Sequence, residues 1–129
     1  MNKLFCVFSI AFLLMSFSPS KLFFLNIEDK QNIFKLIHKL LKRKGRFLYI
    51  DVTRAHSRNI EKLFMENWER FMRNSACPNN KIRKIINDHL EHDIPETVEN
   101  QLKFLQSAGY KDYDLIWRFE KFAAFYAQK

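Results

Sequence analysis

Only two glycines occur in 129 residues, Gly45 and Gly109, and each ends a helix-like pattern. Phosphate cradles of the dinucleotide and P-loop kinds need several closely spaced glycines, because the backbone itself approaches the ligand. Two glycines so far apart cannot build one, and no G-x-S-x-G elbow occurs either. A glycine at a helix exit has a simpler use: it takes up the left-handed conformation that caps the last turn. Both are expected to act this way, with Gly45 itself in the left-handed position.

The segments around these glycines carry clear periodicities. Over residues 28–41, Ile33, Phe34, Ile37, Leu40 and Leu41 recur at helical spacing. Glu28 and Asp29 open this segment and Lys39, Lys42, Arg43 and Lys44 close it, the polarity a helix dipole favours. Residues 46–52, RFLYIDV, are rich in strand formers. A helix is predicted over 57–75, with Ser57 or Asn59 as N-cap and Ile60, Leu63, Phe64, Trp68, Phe71 and Met72 along one stripe. Cys77-Pro78-Asn79-Asn80 breaks it, and a short basic helix follows over 81–90 through Ile82, Ile85, Ile86 and Leu90. A further helix over 97–108 uses Val98, Leu102 and Leu105. Strands are predicted over 113–119 and 122–127, joined by a turn within 118–121 and therefore antiparallel. The order helix, strand, helix, helix, helix, strand, strand describes an α/β layered domain with no repeat and no linker.

Composition narrows the chemistry. Hydrophobic residues make up 47% and the charge is +8, which suits a packed domain and permits weak attraction to polyanions. No nucleic-acid motif accompanies that charge. Cys6 and Cys77 form no C-x-x-C pair and no disulfide framework, and read as reduced thiols. His89 and His92, flanked by Asp88 and Asp93, lack further ligands at zinc-like spacing and read as a solvated helix surface. Lys42-Arg43-Lys44 reads as helix-end complementation. Asp51, at the C-terminal end of a strand, is the most informative single position, since open α/β sheets bind ligands there. A strand-end Asp that caps the following turn is the competing reading.

The amino terminus reads two ways. A lysine followed by the apolar run from Leu4 to Phe17 has the form of a secretory signal peptide, although no clear small-x-small cleavage site follows. The run is shorter than the roughly 20 residues that span a bilayer. A strand buried in a parallel sheet also reads as an unbroken apolar run.

EDKQNIFKLIHKLLKRKGRFLYIDVTR resembles the fourth helix and fifth strand of the class I S-adenosylmethionine-dependent methyltransferases, where a helix ending in LLKPGG leads into a strand such as RFLLxDV. TVENQLKFLQSAGYKDYDLIWRFEKFAAFYAQK resembles the end of the same enzymes, with a helix closing in LLxxAGF before the antiparallel sixth and seventh strands. Asp93-Ile94-Pro95 is similar as well, so the likeness runs over about residues 28–129. It extends back if residues 17–30 are laid on the family's fourth strand and following loop. Phe12 to Phe17 is then a buried parallel strand, Ser18 stands at the strand end near the cofactor, and Phe23-Phe24 replace a frequent pair of histidines.

This resemblance implies a partial Rossmann-like methyltransferase sheet of about four strands, the last two antiparallel, with covering helices. Residues 1–11 match nothing, and residues 12–129 correspond to the C-terminal part of the domain. Asp51, Arg54 and His56 would lie on the substrate side, and Ser18 would be a vestigial cofactor contact. The family's Gly-rich loop, and the acidic and polar contacts after its second and third strands, have no counterpart here. The expectation is a truncated, cytoplasmic, methyltransferase-like chain that is inactive alone and holds S-adenosylmethionine weakly or not at all. Two alternatives stand beside it. One is a small basic protein, secreted or membrane-associated, with a cleaved leader. The other is a half-domain that pairs its exposed sheet edge with a separately encoded N-terminal half or with itself.

Overall fold

The computed structural model describes residues 25–129. Over them the chain forms α1 (Ile27–Leu40), β1 (Arg46–Val52), α2 (Arg58–Asn74), α3 (Asn79–His92), α4 (Val98–Ser107), β2 (Asp112–Phe119) and β3 (Phe122–Gln128). The predicted order of elements is present, and α3 is longer than its apolar pattern indicates. The strand expected over Phe12 to Phe17, the leader that competes with it, and Ser18 all lie outside the described residues.

Side-chain oxygens start three of the helices. Asn26 accepts from the Asp29 amide at 2.8 Å, Ser57 from Ile60 at 3.3 Å and Thr97 from Asn100 at 3.2 Å. Each satisfies one of the amides that a first helical turn leaves without an intrahelical partner. Of the two N-caps the sequence offered α2, Ser57 takes the role.

The helix exits divide. Gly109 has φ +102° after α4, with its amide donating to Gln106 O at 3.0 Å and that of Tyr110 to Leu105 O at 3.2 Å. This is the Schellman closure expected of it. Gly45 does not take up the left-handed conformation predicted for it; Lys44 does, at φ 59°. Gly45 is needed for space instead, because a Cβ there would stand 2.7 Å from Lys42 O and 3.1 Å from the Leu41 side chain. After α2 the same closure is made with Ala76 at φ 56°, where the sequence offers no glycine.

Three strands make one sheet in the order β1-β3-β2, with β3 antiparallel to both neighbours. Arg46 lies opposite Gln128 and Val52 opposite Phe122, while a bulge between Leu115 and Trp117 interrupts β2. Among the described residues, β1 is paired along one edge only. The centre of β3 is small where helices must approach: Ala123 and Ala127 are fully buried beside Phe125.

Successive strand residues face opposite sides. Phe47, Tyr49 and Asp51 look toward α1 and α4. There Phe34 of α1 meets Phe47 edge-on at 5.5 Å, Tyr49 stacks on Phe125 at 4.8 Å, and Phe104 and Leu105 complete the core. The other side is different. Ile50 is 57% exposed and Trp117 and Phe119 are each 51% exposed, so among the described residues this sheet face stays largely uncovered. The α2 stripe is also only half used: Met72 is buried, whereas Ile60, Leu63 and Phe71 are exposed.

Candidate functional site: a cleft at the end of the first strand

The chain leaves β1 through Thr53-Arg54-Ala55-His56 before α2 begins at Arg58. Thr53 is fully buried and ties this exit to the β2–β3 turn, its amide and hydroxyl both donating to Lys121 O at 2.5 and 3.0 Å. The Arg54 amide donates to Glu96 O at 3.1 Å, and Thr53 and Glu96 form a parallel bridge. These bonds hold the strand exit between two other loops. Beside it opens a cleft of about 340 Å³, walled by the strand exit, the first turn of α2 and the end of α3.

Two ion pairs form the inner part of this region. Lys121, in the β2–β3 turn, is fully buried and its ammonium meets Oε1 of Glu61. The other Glu61 oxygen accepts from the Ala55 amide at 2.6 Å. Burial pushes the Glu61 pKa up, but the hydrogen bonds from Lys121 and Ala55 and the charges of Lys121 and His89 outweigh it. The carboxyl is therefore held below its usual range.

His89 makes the second pair. Its side chain is 5% exposed, and Nδ1 lies 2.6 Å from Oδ2 of Asp93 one turn later. An ionised carboxylate only accepts hydrogen bonds, so Nδ1 carries a proton and donates it to Asp93. Trp68 of α2 packs edge-on against this ring at 5.3 Å and against Phe122 at 5.6 Å, which fixes the imidazole between α2, α3 and the sheet.

The predicted substrate-side residues separate. Arg54 and His56 line the cleft, and Arg54 lies 3.8 Å from Glu96 while remaining half exposed. Asp51 does not line it. Its carboxylate is buried on the α1 and α4 side, where Oδ2 accepts from Lys30 Nζ and Gln101 Nε2, each at 2.7 Å. Oδ1 accepts from the Val52 amide at 2.9 Å, and Tyr49 donates to the other end of Gln101 at 3.2 Å. Burial, followed by the charge of Asp51 and the neighbouring Tyr110, pushes the Tyr49 hydroxyl pKa far up, so it stays a neutral donor. Asp51 thus sits in a closed polar cluster tying two helices to β1.

Glu61, Lys121 and His89 were not singled out as site residues from the sequence. His89 had a readable signal: it falls seven residues after Ile82 and four after Ile85, on the apolar stripe of α3, which makes it a buried residue rather than part of a solvated surface. Leu90, taken for that stripe, is 68% exposed. His92 faces elsewhere, with Nδ1 3.2 Å from Asp88 O. Among the described residues no group of three or more His, Cys, Asp or Glu side chains could hold a metal ion. Cys77 is a free, half-buried thiol, and no described helix is long and apolar enough to cross a membrane.

No protein-family model matches the chain, and no curated protein matches it.

Proposed function

We propose that residues 25–129 form the acceptor-side portion of a class I methyltransferase-like domain, which needs a further segment to hold S-adenosylmethionine. The observation that carries this reading is the layout around β1. One edge is occupied by an antiparallel strand from a closing hairpin, the other is unpaired among the described residues, and a cleft opens at the strand's C-terminal end. Open α/β sheets bind ligands outside the C-terminal ends of their strands. An unpaired edge is a template for another strand, and the uncovered face bearing Ile50, Trp117 and Phe119 provides a surface for further elements. Glycines occur only at positions 45 and 109, so the family's Gly-rich cofactor loop is not in this sequence.

On this reading Arg54 and His56 belong to the acceptor side, and Asp51 acts indirectly by anchoring β1 to α1 and α4. The partner is a segment bearing the Gly-rich loop, or a second copy where that segment is absent. Calorimetric titration of the chain alone with S-adenosylmethionine is expected to give no tight binding. The same titration with the N-terminal half of a class I methyltransferase supplied in trans is expected to give saturable binding. Tight binding by the chain alone would overturn the division of labour; no binding in the complemented sample would overturn the methyltransferase reading.

A further inference from the structure

An uncompensated run of positive charge lies at the far end of β1 from the cleft. Six of the twelve residues from Lys35 to Arg46 are cationic and none is acidic. All six, Lys35, Lys39, Lys42, Arg43, Lys44 and Arg46, are exposed, and none forms an ion pair among the described residues. Residues 1–24 contain no Asp or Glu, so no acidic side chain of this sequence lies outside the described residues to neutralise them. In register with Arg46, the acid of the sheet is Asp112, two strands and about 10 Å away. Helix-end complementation, the reading the sequence favours for Lys42-Arg43-Lys44, does not account for these cations. The Lys129 ammonium already donates to Lys39 O and Leu41 O, at 3.2 and 2.8 Å, and the Gly45 amide to Lys42 O at 2.8 Å. The Lys44 amide donates to Lys129 O and the Lys129 amide to Gly45 O, each at 2.9 Å, which pins the turn to the end of β3 with its charged side chains exposed. Beside the charges, Leu36 and Leu40 are 53% and 74% exposed. They stand one turn apart on the side of α1 away from Phe34, each directly preceded by a lysine.

We infer that this outer face of α1, with the turn after it, docks on the surface of an anionic lipid bilayer. Clusters of about four to eight Lys and Arg on or beside an amphipathic helix are drawn to anionic leaflets, each contributing about a fivefold gain in affinity. Leucines set among lysines suit the boundary between headgroups and acyl chains. The leucines enter the apolar side while the ammonium groups stay with the headgroups on their flexible stems. A nucleic-acid backbone would meet the same cations but leave Leu36 and Leu40 in water. Proteins that hold nucleic-acid strands without sequence preference stack the bases on aromatic side chains. Here the exposed aromatics Trp117 and Phe119 lie on the other face of the sheet, toward its other end. β1 runs about 20 Å from Arg46 to Val52, so the cleft at its exit stays clear of the docked surface. This inference goes beyond the methyltransferase reading and does not depend on it.

The full chain is floated with vesicles of phosphatidylcholine alone and of phosphatidylcholine containing about one-third phosphatidylserine. Binding to the anionic vesicles is expected to be at least about tenfold tighter than to the neutral ones, and to fall as salt rises from about 0.1 M to about 0.5 M. Lys39→Gln/Lys42→Gln/Arg43→Gln should lower the affinity about 100-fold, three steps of about fivefold. Lys62→Gln/Lys84→Gln/Lys103→Gln removes as much charge from three exposed lysines, each paired with an acid one turn away, and should change the affinity less than about threefold. Leu36→Ser/Leu40→Ser should weaken vesicle binding about tenfold and leave binding to a mixed-sequence DNA duplex unchanged. Equal binding to both kinds of vesicle, or none to either, overturns the inference, and so does equal damage from the two charge-removing sets. Vesicle binding that ignores the leucines, or tighter binding to the duplex than to the anionic vesicles, overturns it as well. Circular dichroism checks that each variant folds; if one does not, lipid composition and the salt series on the unaltered chain still decide.

Discussion

Removing Asp51 should damage the fold far more than a strand-end carboxylate ordinarily would. Lys30 and Asp51 are 6% and 8% exposed, and their charged groups meet at 2.7 Å. Asp51→Ala strands the Lys30 ammonium in the interior and leaves the Gln101 amide without its acceptor. Breaking a buried pair from one side costs about 3–5 kcal/mol, so a loss of about 4 kcal/mol is expected. Against a total of about 5–15 kcal/mol for a domain, that is a third or more of the stability. Lys30→Met should cost less, about 2–3 kcal/mol, because Asp51 keeps two donors, Gln101 and the Val52 amide, and charge-assisted hydrogen bonds are strong. The double variant Lys30→Met/Asp51→Leu removes both charges, and its loss should be at least about 2 kcal/mol smaller than the sum of the single losses. Urea unfolding followed by circular dichroism, with the slope checked for constancy, reads all three. A loss below about 1 kcal/mol for Asp51→Ala, or strict additivity in the double variant, would refute the account of this cluster as an internal tie.

Two further outcomes follow from the backbone and from Glu61. Lys44→Gly and Ala76→Gly relieve side chains at φ 59° and 56° and should each raise stability by about 0.5–1 kcal/mol. Gly45→Ala should lower it, because its Cβ would meet Lys42 O at 2.7 Å; urea midpoints that reverse this order would refute the assignment. The lowered pKa of Glu61 makes its contribution complete above the usual carboxylate range and progressively lost as pH falls through the folded value. Glu61→Gln should therefore be less stable than the unaltered chain near neutral pH, with the gap closing in acid. Denaturant midpoints measured from pH 7 down to pH 3 would show a constant gap if this is wrong.

Much of the architecture was readable because each element's signal was local. RFLYIDV over Arg46–Val52 is a strand with the predicted ends, and Ser57, Thr97 and Gly109 mark helix termini by their own chemistry. What escaped depended on distant partners. Lys121 reads as a turn lysine destined for solvent, yet it is fully buried because Glu61, 60 residues earlier, waits beneath it. Asp51 reads equally well as a ligand group or a turn cap, and only Lys30 and Gln101, brought over by two helices, reveal it as an anchor. Lys44 and Gly45 exchanged roles because crowding at Lys42 O, not φ, demands the missing side chain. The cleft itself has no sequence motif, since it is assembled from three separate loops and helix ends.

The sheet order has a consequence for how the chain comes together. Among the described strands the earliest made, β1, pairs with the one made last, β3, and Thr53 and Lys121, which seal the join, are 68 residues apart. Closing a loop that long costs entropy before any pairing rewards it. Helices α2 and α3 can form early from local contacts, so they shorten the effective tether and carry Glu61 toward the point where Lys121 will arrive. During synthesis β1 emerges with neither of these edge contacts made and with the Lys30–Asp51 pair still lacking Gln101. Slow synthesis through residues 79–121 would prolong that exposed state, making the yield of folded protein sensitive to elongation rate.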